Sequence, residues 1–182
     1  MEYYYLISTF TEPTLDKAPD RTEETFLTDC REHLSPADLQ GVQAALDPAR
    51  PARHPAVLEW RRRDTQIRNA AARERARRGK QDASPFLRPH EGYQVHIEQA
   101  VSEAFAAATP LDRERRLDAL RWEQIAEIGG LNPFSGNAVV AHALKLKLAW
   151  RWARMDPAEG RTRLHELVNR KPTGEQEAHE PV

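Results

Sequence analysis

Cys30 and His33 stand three residues apart, a spacing that sets both on one face of a helix, where a metal ion could take a thiolate and an imidazole. A metal site needs three or four ligands and no second Cys/His pair accompanies them, so a core cysteine is the expected role and no metal is predicted. The seven histidines, at 33, 54, 90, 96, 142, 165 and 179, form no HExxH pattern. None has a serine or cysteine beside it in a nucleophile-elbow context. Glu91 with Glu123, or Asp112 with Glu114, are carboxylates that general acid–base chemistry would draw on, but solvated acids on capped helices are the commoner arrangement. Residues 129–136, Gly-Gly-Leu-Asn-Pro-Phe-Ser-Gly, contain glycines without the Gly-Lys-Ser/Thr ending of a phosphate loop, and they read as a turn between helices. No catalytic, cofactor-binding or metal residue follows, and the chain is expected not to be an enzyme by itself.

The arginines carry the remaining chemistry. Between Glu59 and Lys80 nine bases face three acids, whereas residues 1–40 hold nine acids against three bases. Clustered guanidinium groups along one helix can neutralise phosphates. Glu59–Arg63, Asp64–Arg68 and Glu74–Arg78, however, are acid-before-base pairs at i, i+4, the orientation that stabilises a solvated helix by ~0.2–0.5 kcal/mol each. No aromatic residues interleave the arginines for base stacking. A solvated face is therefore expected, with Arg61, Arg62, Arg68 and Arg75 as the residues that would meet an acidic protein partner. An Arg-rich-helix nucleic-acid-binding protein is the alternative, and nucleic acid is not the expected ligand.

These residues are positioned by helices. Asp20 with Glu23 has capping-box spacing, and Phe26, Leu27, Cys30 and Leu34 follow as an apolar stripe. Ser35-Pro36 restarts the chain with Leu39, Val42 and Leu46 on one side. Pro48, Pro51 and Pro55 make residues 47–55 a linker. A long Ala/Arg-rich helix is expected from Ala56 to about Arg78, with Gly79 as its stop. Residues 80–92 read as a loop, followed by a helix bearing Tyr93, Ile97, Val101 and Phe105. Thr109-Pro110 opens a helix that Gly129-Gly130 ends, residues 137–155 form the most hydrophobic helix, and Asp156-Pro157 introduces a short last one. The bases Lys145, Lys147, Arg151 and Arg154 flank its apolar stripe and are expected to snorkel from a buried helix. The first ten residues, with Tyr3, Tyr4, Tyr5, Leu6, Ile7 and Phe10, are β-leaning and too apolar to leave in water, so a buried extended head is expected.

The predicted architecture is mostly α: an elongated multi-helix bundle with a short N-terminal extended segment. It spans residues 1–170 as a single helical domain, with sub-parts 1–46 and 56–170 joined by the linker 47–55, and residues 171–182 are a disordered tail. Hydrophobic residues at 40%, charged residues at 30% and a mean hydropathy of -0.75 fit amphipathic helices around a thin core. The net charge of -1 alone favours neither nucleic acid nor membrane. A single cysteine and no signal-peptide pattern point to the cytoplasm. Apolar stretches end well short of ~18 residues, which excludes direct membrane insertion and leaves only a peripheral location on the inner membrane through a complex.

Three segments together resemble a family of small, mostly uncharacterised bacterial proteins encoded beside V-type (A/V-type) ATP synthase subunits. They are Tyr3-Tyr-Tyr-Leu-Ile-Ser-Thr followed by Leu15-Asp16, the Trp60 to Arg75 stretch with Arg68-Asn69, and Leu120-Arg-Trp122 with Ala141-His-Ala-Leu-Lys-Leu-Lys-Leu148. A weaker likeness extends to the central-stalk subunit of V-type ATPases called C or d, an all-helical socket between rotor shaft and membrane ring. The shared features there are a tyrosine-containing start and a helix bearing an Arg-Asn pair. This chain is too short to make the whole funnel of such a socket. The resemblance implies a non-enzymatic stalk or adaptor protein whose partners are V-type ATPase subunits, without catalytic residues or cofactors.

Overall fold

The structure, a computed structural model, describes residues 2–155 and 157–169. They form a mostly α multi-helix bundle. The helices are α1 (Tyr4–Ser8), α2 (Glu23–His33), α3 (Pro36–Leu46), α4 (Pro55–Gly79), α5 (Val95–Phe105), α6 (Pro110–Gly129), α7 (Gly136–Ala153) and α8 (Pro157–Asn169). No strand occurs among the described residues, only an isolated antiparallel bridge between Glu2 and Ser135. The expected tail, 171–182, lies outside them.

Local chemistry sets most helix ends. The hydroxyls of Ser35, Thr109 and Ser135 accept from the third amide of their helices, leaving fewer orphan donors at each N-terminus. The cap of α2 is Thr22, not Asp20: its hydroxyl accepts from Thr25, while Asp20 instead accepts from Thr11. At the end of α4 it is Lys80, one residue beyond Gly79, that takes the left-handed conformation at φ 51.

Two cores share the long helices. The first gathers Phe26 and Cys30 of α2, Val42 of α3, Val57 at the start of α4, Ile125 at the end of α6, and Val139, Leu144 and Leu146 of α7. The second gathers Ile67 and Ala71 of α4, Ile97, Val101 and Phe105 of α5, and Leu117 and Leu120 of α6. The linker 47–55 is a mostly exposed corner, and the buried Leu46 before it and Val57 after it both belong to the first core. Because α4 and α6 run through both cores, loosening either core is felt by the other.

The head departs from the extended segment expected. Tyr4–Ser8 is one helical turn, and its period places Tyr3 and Leu6 inward while Tyr4 and Tyr5 remain 55% and 69% exposed. Each exposed ring still packs on a neighbour, Tyr4 on Phe134 at 4.5 Å and Tyr5 on His33 at 5.2 Å, and the Tyr4 hydroxyl donates to the Glu2 carboxylate. Tyr3 holds the turn in place, its amide donating to Phe134 O at 2.8 Å.

The loop between α4 and α5 is tied down by two buried amides of α4. Asn69 Nδ2 donates to Arg88 O at 2.7 Å and Asn69 Oδ1 accepts from Arg88 N at 3.0 Å. Gln66 does the same to Gln94, at 2.8 Å and 3.1 Å. Each side chain imitates one rung of a β-ladder, which satisfies loop backbone that has no secondary-structure partner.

Candidate functional site

The residues with candidate chemistry do not converge. Cys30 is fully buried, and burial pushes its thiol up to about 12, which makes it an inert core residue. His33 lies on the surface, stacked on Tyr5. Among the described residues no group of three or more His, Cys, Asp or Glu side chains is placed to hold a metal ion. Glu91 is exposed and accepts from Arg62 at 2.7 Å; Asp112 accepts from the Thr109 hydroxyl at its helix start. Residues 129–136 form the turn between α6 and α7, and Gly130 ends α6 with φ 74, a conformation that suits a residue without Cβ.

The arginine-rich helix is largely neutralised within the chain. Arg62 meets Glu91 and Glu59, Arg63 meets Glu59 at 2.7 Å and Glu127 at 2.6 Å, Arg73 meets Glu98 at 2.8 Å, and Arg77 meets Glu74 at 2.6 Å. Arg68 pairs with Asp64 as its i, i+4 spacing predicted. Glu74 instead pairs with Arg77, because Arg78 turns inward to donate to Phe105 O. Arg75 is 3.9 Å from Glu114 and lies over the Phe105 ring. Of the four arginines expected to face a partner, Arg62 and Arg75 are thus on self-paired surface, and Arg61 and Arg68 turn to another feature.

That feature is a cleft of about 690 Å³ lined by the end of α3 and by α4, α6 and α7. Arg61, Arg68, Arg121, Lys147, Arg151 and Arg154 line it, with Trp60 and Leu148 half-buried among them. The helices fix these side chains by spacing: Lys147, Arg151 and Arg154 recur at i, i+4 and i+7 along α7 and its C-cap, so they share one face. Arg61 Nη2 donates to Ala44 O at 3.2 Å and Arg50 O at 2.7 Å, and Lys147 Nζ donates to Ala45 O at 3.2 Å and Leu46 O at 2.7 Å. Both cations thereby complete the carbonyl end of α3, where the helix dipole is negative. Burial pushes the ammonium pKa of Lys147 down, since no carboxylate is bonded to it among the described residues.

Beneath the cleft floor sits Asp118, fully buried on α6. Its carboxylate accepts from Arg121 Nη1 at 2.7 Å, from Trp152 Nε1 at 2.7 Å and from Arg151. Arg121 also reaches Asp64 on α4 at 3.1 Å, so one network crosses α4, α6 and α7. Sequence reasoning missed Asp118, although a signal existed: Asp118 precedes Arg121 and Ile125 at i, i+3 and i+7, which places an acid and a base on a buried stripe. A second node, half-buried, is Asp38. Burial works to raise its pKa, but hydrogen bonds from Tyr3, Ser35 and His54 outweigh it and hold the carboxyl below its usual value.

Residues 95–174 match the model of a protein family of unknown function (DUF2764). The match covers less than half of the chain and contains α5 to α8, including Asp118 with its donors Arg121, Arg151 and Trp152, and the α7 face of the cleft. No curated protein and no solved structure matches the chain. Among the described residues no helix is long and apolar enough to cross a membrane.

Proposed function

We propose that this protein is a non-enzymatic accessory subunit of a V-type ATPase, with a stalk or adaptor role in ion-coupled rotary ATP synthesis or hydrolysis. One observation carries the reading beyond the resemblance in sequence: the three resembling segments, far apart in the chain, form one packed unit. Tyr3 and Leu6 of the head share a core with Leu144 of α7, α6 packs along α7 and on α4, and Asn69 ties the α4–α5 loop. A resemblance confined to residues that interlock is what a common scaffold leaves, with the chain acting as a rigid helical part and not as a catalyst. Both carboxylates, the half-buried Asp38 and the buried Asp118, are crowded with hydrogen-bond donors, which suits structural nodes better than proton carriers. The self-pairing of the arginines weakens the nucleic-acid alternative, because paired guanidinium groups release few counterions from phosphates. The location follows from the role: peripheral to the membrane, held there through the complex.

The test is affinity purification of the tagged chain from its native cells, with identification of what accompanies it. Recovery of V-type ATPase subunits in fixed proportion supports the reading. Their absence under low-salt, gentle extraction overturns it.

A further inference from the structure

We propose that the cleft between the end of α3 and helices α4, α6 and α7 is the docking groove for an acidic amphipathic helix of a partner protein. This rests on the adaptor reading for the identity of that partner, not for the groove itself. Its six bases face Glu23 and Asp64 on the lining and Asp118 beneath it, a surplus of three positive charges. Elsewhere along α4 each of Arg62, Arg63, Arg73 and Arg77 has a carboxylate within 3 Å. In the cleft, Arg61, Lys147 and Arg154 have none among the described residues, so three cations without a carboxylate partner share one concave surface. Arg61 and Lys147 are also held in place by the α3 carbonyls, so an incoming carboxylate meets cations whose side-chain freedom is already spent.

Charge alone would suit a phosphate backbone equally well. The lining decides for a helix: the half-buried Trp60 and Leu148 and the 48% exposed Met155 line the same cleft as the bases. A surface that carries both apolar seats and cations matches a helix whose leucines and glutamates alternate every three to four residues. The bases steer and orient such a ligand while the apolar seats hold it. Arg61 and Arg68 line this groove, Arg68 while paired with Asp64, whereas Arg62 and Arg75 do not, which divides the basic helix into a part that lines the groove and a part outside it.

The experiment uses the full chain and a synthetic, fluorescein-labelled peptide of about 18 residues, five helical turns, built from Leu, Ala and Glu. Anisotropy is followed at about 0.05 M and 0.2 M salt. Saturable binding is expected, weakened about tenfold or more by Arg68→Glu with Arg154→Glu and unchanged within about twofold by Arg62→Glu with Arg75→Glu. Replacing the peptide leucines by glutamine is expected to abolish binding. Arg68→Gln with Arg154→Gln repeats the test without new like-charge contacts, should the reversal disturb folding. No saturable binding, or equal weakening by both pairs of reversals, overturns the proposal. So does a single-stranded oligonucleotide that displaces the peptide at lower concentration and loses its own affinity with the cleft reversals, the sign of a nucleic-acid groove. Peptide binding without recovery of ATPase subunits leaves the groove standing and removes the ATPase identity; recovery of those subunits unaffected by the cleft reversals does the opposite.

Discussion

Asn69 and Arg88 are bonded to each other in both directions, side-chain amide to backbone carbonyl at 2.7 Å and backbone amide to side-chain oxygen at 3.0 Å. Asn69 is 4% exposed, so its amide has little water to turn to, whereas Arg88 is exposed. Asn69→Ala is expected to lower unfolding free energy by ~1–3 kcal/mol in denaturant titration. The freed loop carries exposed Phe86 and Leu87, and chymotrypsin is expected to cut there faster in the variant than in the parent. Unchanged cleavage would mean that Gln66 alone holds the loop.

Asp118 joins three donors from two helices at a point without solvent. Asp118→Ala leaves the Trp152 indole without its acceptor and Arg121, 13% exposed, with Asp64 alone, a change expected to remove ~3–5 kcal/mol of stability in urea unfolding. Arg151→Ala, at a side chain 42% exposed, is expected to remove well under half of that. A loss below about 1 kcal/mol for Asp118→Ala would show that the network relaxes around other partners.

His142 is set between Phe10, stacked at 4.6 Å, and Phe26, and its Nε2 finds no hydrogen-bond partner among the described residues. Burial lowers its pKa to about 4, with Glu12 opposing and Arg21 and Lys145 assisting. The folded state therefore binds the proton less readily than the unfolded chain, whose imidazole titrates near 6.5. This contribution to stability is fully present above about pH 6.5 and is lost as pH falls through about 4, and it amounts to roughly 3 kcal/mol. His142→Phe is expected to flatten the stability profile over that window when melting temperature is followed against pH, whereas the same slope in both proteins would assign it to other groups.

Gly136 begins α7 against the Asp38 carboxylate: a Cβ there would lie 2.6 Å from Asp38 Cγ. Asp38 is pinned by Tyr3, Ser35 and His54 and has little room to yield. Gly136→Ala is expected to cost ~1–3 kcal/mol. Tyr3→Phe, which removes one of the three pins, is expected to lessen that penalty when combined with it, and a double-mutant cycle reads the coupling. Strict additivity would place the strain elsewhere.

Helix existence and most helix ends were legible because they depend on residues one to four apart: Ser35 with Asp38, Thr109 with Asp112, the apolar stripe of α5. The head was misread because three adjacent tyrosines carry β propensity while the packing of Tyr3 and Leu6 needs a period near three. The site was less legible. Arg61 and Arg68 were found by charge and Arg62 and Arg75 alongside them, since composition cannot tell a cation that meets Glu91, 29 residues away, from one left unpaired.

What the sequence by itself determined is the set of helices from α2 onward, their order, the inert environment of Cys30 and the excess of arginine on α4. Beyond the local pairs Glu59–Arg63 and Asp64–Arg68, tertiary structure decided which charges cancel. Tyr3 reaches Asp38 across 35 residues, Trp152 reaches Asp118 across 34, and Arg63 reaches Glu127 across 64. Coulomb and hydrogen-bond energies fall off within a few ångströms, and no local spacing rule brings such pairs together. Only the packing of α4, α6 and α7 into two shared cores does, and the same packing leaves Arg61, Lys147 and Arg154 uncompensated around one cleft.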